Sequence, residues 1–258
     1  DSCTIPATAP NFSAMTSSRR SYFLTDLSWA EVASHLKQDS RLIVPVGACD
    51  QYGLHLPIGA STRVAEAIAG DLSREFGVLC APAFPYGVNV TTKRPFAGAA
   101  SLREKTLHRA LNDLLAAWES QGFTEFIMIT VQGYDPHVEA IAAVIVGTAR
   151  VRVVEALCMD FSALLDGSGG PQHAGEIETS LLLHLYPEMV RMEAAEDFIP
   201  DPSRFPLFGR GIPPLPRDSP GSVGRPTLAS AEKGERIYAH ILQKIREKIF
   251  VSPPEAEE

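Results

Sequence analysis

Short apolar runs alternate along this chain with longer segments whose apolar residues recur every three to four positions. That alternation predicts βαβ units around a mainly parallel sheet, an α/β fold. Leu42 to Val46, Val78 to Phe84, Phe126 to Val131 and Val151 to Leu157 read as buried strands. Six helices are predicted before, between and after them. The first contains Ala30 to Leu36 and is opened by a capping box of Ser28 with Glu31; the second is Ser61 to Phe76; the third runs from a Ser101/Glu104 cap to about Trp118. Pro136 to Ala149, Ala174 to Leu185 (stopped by Pro187) and Ala229 to Phe250 complete the set. Pro85 to Ala100 carries Pro85, Gly87, Pro95 and Gly98, so it predicts a long loop of the kind that builds sites.

The chain divides by this reading into an N-terminal extension (1–20), an α/β domain (21–198), an arm rich in proline and glycine with a C-terminal helix of the same domain (199–250), and an acidic tail (251–258). The arm contains Phe205, Leu207, Phe208 and Ile212, more apolar surface than a free linker needs, so it is expected to lie over the surface or a neighbouring subunit. With 258 residues, 45% of them hydrophobic, the chain can bury the core of one large domain. A net charge of -8 provides no basic face, so nucleic acid and membrane are not expected as partners. Four cysteines without a CxxC pair, Cys80 and Cys158 among them in apolar runs, point to a reducing cytoplasm. Residues 1 to 14 lack the pattern of a secretory signal, and Met15 is a candidate natural start.

In open α/β sheets a ligand sits beyond the carboxyl ends of the strands. The turn after Leu42–Val46 offers Cys49, Asp50, Tyr52 and His55; the turn after Phe126–Val131 offers Tyr134, Asp135 and His137; and His173, Glu176 and Glu178 stand at a helix start.

The segment Gly47-Ala48-Cys49-Asp50-Gln51-Tyr52-Gly53-Leu54-His55-Leu56-Pro57 resembles the first loop of the creatininase family of amidohydrolases in its Gly47, Gln51, Gly53, His55, Leu56 and Pro57. Gln132-Gly133-Tyr134-Asp135-Pro136-His137 falls on the family's second motif, and His173-Ala174-Gly175-Glu176-Ile177-Glu178-Thr179-Ser180 is similar to its third almost letter for letter. The resemblance spans about Leu27 to Met189 and implies the creatininase-like three-layer fold, with a mainly parallel sheet flanked by helices. It also implies homo-oligomerisation, for which the arm from Ile199 to Pro226 is the candidate contact.

Family members are similar in carrying two divalent metals, and the positions that hold them correspond here to Asp50, Tyr52, Ser61, Tyr134 and Pro136. Only Asp50 among these could still ligate, since serine, tyrosine and proline are poor or impossible zinc or manganese donors. The expectation is a degenerate metal site and no cofactor. A single divalent metal rebuilt from Asp50, His55, Asp135 and His137 is the less favoured alternative, because Asp135 before Pro136 also suits a helix N-cap.

Within the resemblance, His173 corresponds to a residue implicated in proton transfer. His173, Glu178, Asp50 and Cys49 are therefore the candidate catalytic residues, with Tyr52, His55, Tyr134 and Glu176 lining the ligand. Cys49 stands either as a nucleophile paired with a histidine or as a small packing residue. Two functions stay open. One is a pocket acting on a small amide, cyclic amide or related carbon–nitrogen compound without the dinuclear centre. The other is a non-catalytic sensor or structural subunit, as a homo-oligomer or with an active relative. Metal-dependent hydrolysis with rebuilt ligands is a further alternative.

Overall fold

The computed structural model describes residues 21–90, 95–167, 172–199, 215 and 219–251. In chain order the main elements are α1 (Trp29–Leu36), β1 (Arg41–Val46), α2 (Ala60–Phe76), β2 (Leu79–Cys80), α3 (Glu104–Glu119), β3 (Glu125–Thr130), α4 (Asp135–Ala142), β4 (Arg150–Glu155), α5 (Glu176–Leu185) and α6 (Ala231–Ile245). Among the described residues β2, β1, β3 and β4 form one parallel sheet in that order. Arg41 to Val46 pairs residue for residue with Glu125 to Thr130, and that strand in turn with Arg150 to Glu155.

Alternation along the central strands divides the interior into two layers, because successive side chains of a strand leave opposite faces. Ile43, Ile127 and Ile129 pack with α2, α5 and α6, while Leu42, Val44, Phe126 and Met128 pack with α3 and α4. The sheet is thus the middle of three layers, as the sequence predicts. Helices α5 and α6 approach so closely that a Cβ at Gly234 would lie 1.9 Å from the Ser180 carbonyl oxygen. Among the described residues no helix is long and apolar enough to cross a membrane.

Several predicted boundaries shift, each for a local reason. The Ser28–Glu31 capping box is present. The expected strand Val78 to Phe84 shortens to Leu79–Cys80. Ala81 N–H donates to Ile43 and Phe84 N–H to Pro45, so three residues advance against two, and Pro45 has no N–H to keep the ladder in step. The Ser101/Glu104 cap does not form: Ser101 Oγ accepts from Asn89 N–H and donates to the Leu102 carbonyl, and α3 starts after Arg103. Helix α4 ends at Ala142 rather than Ala149. Asn112 Oδ1 takes the Ile145 N–H, and the Glu119 carboxylate takes those of Gly147, Thr148 and Ala149. Helix α5 begins at Glu176, not Ala174, since Ala174 has φ of 52°. Helix α6 starts after the Ser230 cap, which accepts from Lys233 N–H, and runs into a π-turn over Arg246–Val251. Most of the predicted arm, the 1–20 extension and the tail beyond 251 lie outside the described residues.

Candidate active site

Strands β1 and β3 end in register at Val46 and Thr130, so the loops that follow them start side by side at the carboxyl edge of the sheet. This brings Asp50, Gln132 and Tyr52 into one buried chain. Asp50 Oδ1 accepts from the Gln51 N–H at 2.8 Å, and Oδ2 accepts from the Val90 N–H and from Gln132 Nε2, both at 3.0 Å. The Tyr52 hydroxyl donates to Gln132 Oε1 at 3.0 Å. Burial, then the charges of Glu178 and Asp50, push the Tyr52 phenol well above its ordinary value, so it remains a neutral donor.

His173 closes the other side. Its ring stacks on Tyr52, and Nε2 lies 2.7 Å from the Gln51 carbonyl oxygen, so Nε2 carries the proton and Nδ1 is the acceptor. Gln51 Nε2 donates to the Gly221 carbonyl at 2.8 Å. A Cβ at Gly221, which has φ of 105°, would meet Gln51 Oε1 at 2.1 Å, so this approach requires glycine. Reciprocal backbone bonds with Val223 fix the His173 main chain, and Ala174 then turns into the left-handed region.

The N–H groups of Ala174 and Gly175 meet the Glu178 carboxylate, in the first turn of α5. Burial raises the Glu178 pKa, against the opposing influence of His173 and these two N–H groups, while Asp50 adds to the rise. Among the described residues His173 Nδ1 and Glu178 Oε2 are buried without a hydrogen-bond partner.

The structure also brings in Glu155, which the sequence analysis left inside a predicted strand. It ends β4, its carboxylate lies beside Gly133, and Oε1 accepts the Leu157 N–H at 2.8 Å. Burial first, and the Glu178 charge with it, push its carboxyl up to about 7. The one available signal was a carboxylate at the carboxyl end of an apolar strand.

The other predicted residues lie apart from this centre. Glu176, expected to line the ligand, is buried in an ion pair with Lys233 of α6 and accepts the N–H groups of Asp166 and Gly167, so it braces the α5 start instead. Lys233 also reaches Asp166 at 2.7 Å. The Tyr134 ring packs beside Val90, Leu215 and Val223. His55 bonds Thr179 Oγ1 through Nε2 at 2.9 Å, tying the first loop to α5, and burial lowers its pKa to about 4. Cys49 Sγ faces the Gly98 carbonyl at 3.5 Å and, among the described residues, bonds no histidine.

The four side chains proposed for a rebuilt metal site do not converge. Asp135 is exposed in the first turn of α4, where Tyr134 rather than Asp135 is the N-cap. His137 accepts the Val88 N–H at Nδ1 and donates from Nε2 to Thr130 Oγ1, which uses both ring nitrogens. Among the described residues no three His, Cys, Asp or Glu side chains are grouped to hold a metal ion. With Asp50 already accepting three N–H groups, the donor set does not fit a dinuclear centre.

A cleft of about 310 Å³ opens over Asp50 and Gln51, walled by Asn89, Val90, Pro95, Phe96, Ala99 and Ser101. Its volume lies within the usual range for small-molecule sites. A larger cavity of about 630 Å³ lies elsewhere, at the β2 edge between α2 and Tyr238, and touches none of these residues.

Comparison with known proteins accords with this architecture. The sequence pattern of the creatininase family, described as creatinine amidohydrolase, matches residues 25–249. A mycofactocin precursor peptide peptidase of Mycobacterium tuberculosis is 32% identical over 213 residues, covering 77% of this chain and 80% of that protein. The creatinine amidohydrolase of Pseudomonas putida is 27% identical over 255 residues, covering 89% and 96%. A solved structure described as the manganese form of creatininase superposes with a TM-score of 0.74 at 25% identity, covering 88% of this chain and 98% of that one.

Proposed function

Since this chain belongs to the creatininase family, we propose that it uses the family's pocket on a small amide, cyclic amide or related carbon–nitrogen compound, without the two-metal centre. The observation that carries this reading is the His173–Glu178 pair. Both groups are buried, and each presents one atom without a partner among the described residues. Buried polar atoms are seldom left so unless a ligand, an ordered water or a proton serves them.

In this reading His173 Nδ1 takes the proton as a water oxygen adds to the carbonyl carbon, and returns it to the leaving nitrogen as the carbon–nitrogen bond breaks. Its Nε2–H bond to Gln51 holds the tautomer that leaves Nδ1 basic. Glu178 faces the imidazolium that forms. Tyr52 stacks on the His173 ring and holds Gln132 through its O–H, and Asp50 fixes Gln132 from the other end.

The test is elemental analysis of protein expressed with added zinc and manganese, followed by hydrolysis assays on creatinine and short peptide amides with and without chelator. The expected protein holds far less than one metal per chain, any turnover survives chelation, and His173→Ala removes it with folding intact. Stoichiometric metal with chelator-sensitive turnover would overturn the reading.

A second reading, a non-catalytic sensor or structural subunit assembled with itself or with an active relative, is favoured by one observation. The Asp50–Gln132–Tyr52 chain and the Tyr52–His173 stack fill the space at the centre. Absence of turnover across the same substrates, with light scattering that reports an oligomer, would select it.

A further inference from the structure

The cavity of about 630 Å³ at the β2 edge is built in two layers, and its volume suits a small molecule. Its floor is apolar and buried. Cys80 and Ala81 are each 1% exposed, with Pro45, Leu185 and the largely buried Tyr238 beside them. Phe23 and Tyr186 add two more aromatic side chains to the wall. Its rim is charged, formed by Glu66, Asp71 and Arg74 of α2, whose side chains are about half exposed. With Ala67 and Gly70 these positions recur every three to four residues, so one stripe of the helix lines the whole cavity.

Two of the three rim charges answer each other. Asp71 takes the Tyr238 O–H on one oxygen, at 2.7 Å, and the Arg74 guanidinium on the other. Glu66 is the charge left over. Its ion-pair partner among the described residues is Arg63, at 3.9 Å and itself half exposed, and a pair so long and so wet neutralises little. Arg74 stands eight residues further along α2, about 12 Å by the rise of a helix, and is already spent on Asp71. The field of Glu66 also reaches inward. Burial first, and Glu66 after it, push the Cys80 thiol up to about 12 and raise the Tyr186 phenol, while burial and Asp71 raise Tyr238. The floor therefore stays uncharged, and the surplus charge of the cavity is one carboxylate at its rim.

We propose that this cavity is a second binding site, for an amphipathic organic ammonium whose apolar body lies on the Cys80 and Ala81 floor and whose protonated amine sits beside Glu66. None of its lining residues belongs to the His173–Glu178 centre, so the proposal stands apart from the reaction assigned to that centre. Each methylene taken out of water tightens binding roughly fourfold, which the apolar floor supplies. Phe23, Tyr186 and Tyr238 add aromatic rings, whose faces attract cations. A carboxylate in the same place would meet Glu66 as a like charge, and an alcohol would forgo the attraction.

The experiment is calorimetric titration of the full-length protein with hexylammonium chloride, butylammonium chloride, hexan-1-ol and sodium hexanoate, at neutral pH and constant ionic strength. Hexylammonium is expected to bind roughly three- to tenfold more tightly than hexanol, the combined scale of a half-exposed ion pair and a cation over an aromatic ring. Butylammonium, two methylenes shorter, should bind on the order of tenfold more weakly than hexylammonium, and hexanoate more weakly than hexanol. Glu66→Gln changes a half-exposed side chain, so it should fold, and it is expected to bring hexylammonium down to the level of hexanol. Ala83→Phe places a ring in the cavity from its half-buried wall and should weaken all four ligands. His173→Ala should leave hexylammonium binding unchanged, which locates the ligand away from the catalytic centre. Circular dichroism checks that each variant is folded. The proposal is overturned by no binding at all, by equal affinity for hexylammonium and hexanol, by hexanoate binding best, by a preference that survives Glu66→Gln, or by one that His173→Ala removes.

Discussion

The Tyr52 ring lies 4.7 Å from the His173 imidazole with 30° between the planes, while its hydroxyl points away to Gln132. The stack holds one face of the imidazole and the Gln51 carbonyl holds its Nε2 edge, while Nδ1 has no hydrogen-bond partner among the described residues. Tyr52 thus does two separable jobs, packing with its ring and satisfying Gln132 with its oxygen.

Those jobs can be pulled apart. Tyr52→Phe keeps the stack and strands Gln132 Oε1 in the interior, which is expected to cost about 1–3 kcal/mol in urea unfolding. The nitrogen-15 shifts of His173 should stay as they are, because the Gln51 bond is untouched. Tyr52→Ala should cost more, roughly 3–5 kcal/mol, and move those shifts as well.

Lys233 and Glu176 are an ion pair in which the lysine side chain is 9% exposed and the glutamate 1%. Burial opposes the lysine charge most, yet Asp166 and Glu176 together outweigh it and raise its pKa. Lys233→Met leaves Glu176 charged and buried, which is expected to cost on the order of 3–5 kcal/mol. The double variant with Glu176→Gln should recover much of that loss. A double-mutant cycle by chemical denaturation gives the coupling.

Stability should depend on pH with two opposed contributions. Burial lowers the His55 and His137 pKa values to about 4 from 6.5, so folding favours their neutral forms. Their contribution is complete above 6.5 and is lost as pH falls toward 4. By linkage this is on the order of 3 kcal/mol for each histidine at the acid limit. Glu155, raised to about 7 from 4.5, has the reverse sign, its contribution complete below 4.5 and lost as pH rises toward 7. Between 4.5 and 6.5 the two histidines are opposed by Glu155 and by Glu178, whose pKa burial also raises, so the histidine share is read by difference. Urea midpoints at about pH 5 and about pH 6.5, compared between the parent chain and His137→Gln, are expected to show stability gaining less with pH in the variant.

The parts of this fold that were legible from sequence are those decided by neighbours in the chain. The apolar runs of β1, β3 and β4 announce a buried parallel sheet, and Ser28 with Glu31 announces its helix start. What was illegible depends on partners far away. Ser101 looks like a cap until Asn89 claims its hydroxyl, and α4 looks longer until Asn112 and Glu119 take the N–H groups that would extend it. Glu176 looks like a pocket residue until Lys233, 57 positions later, reaches it. At the site, the structure places His173, Glu178, Asp50 and Tyr52 near one another. Cys49, Tyr134 and Glu176 lie apart from them, and Glu155 joins the group unannounced because a carboxylate at a strand end carries no periodic signature.

Ala174 sits in a conformation that ordinary residues avoid at a cost of about 1–2 kcal/mol, and that bend is what turns the chain from His173 into α5. Glycine there would relieve the strain while giving the unfolded chain more freedom, and it would let the imidazole swing. A laboratory evolution campaign that screened only for heat resistance could therefore move this position in a direction that blurs the aim of His173. Screening for ligand capture would be expected to hold alanine in place.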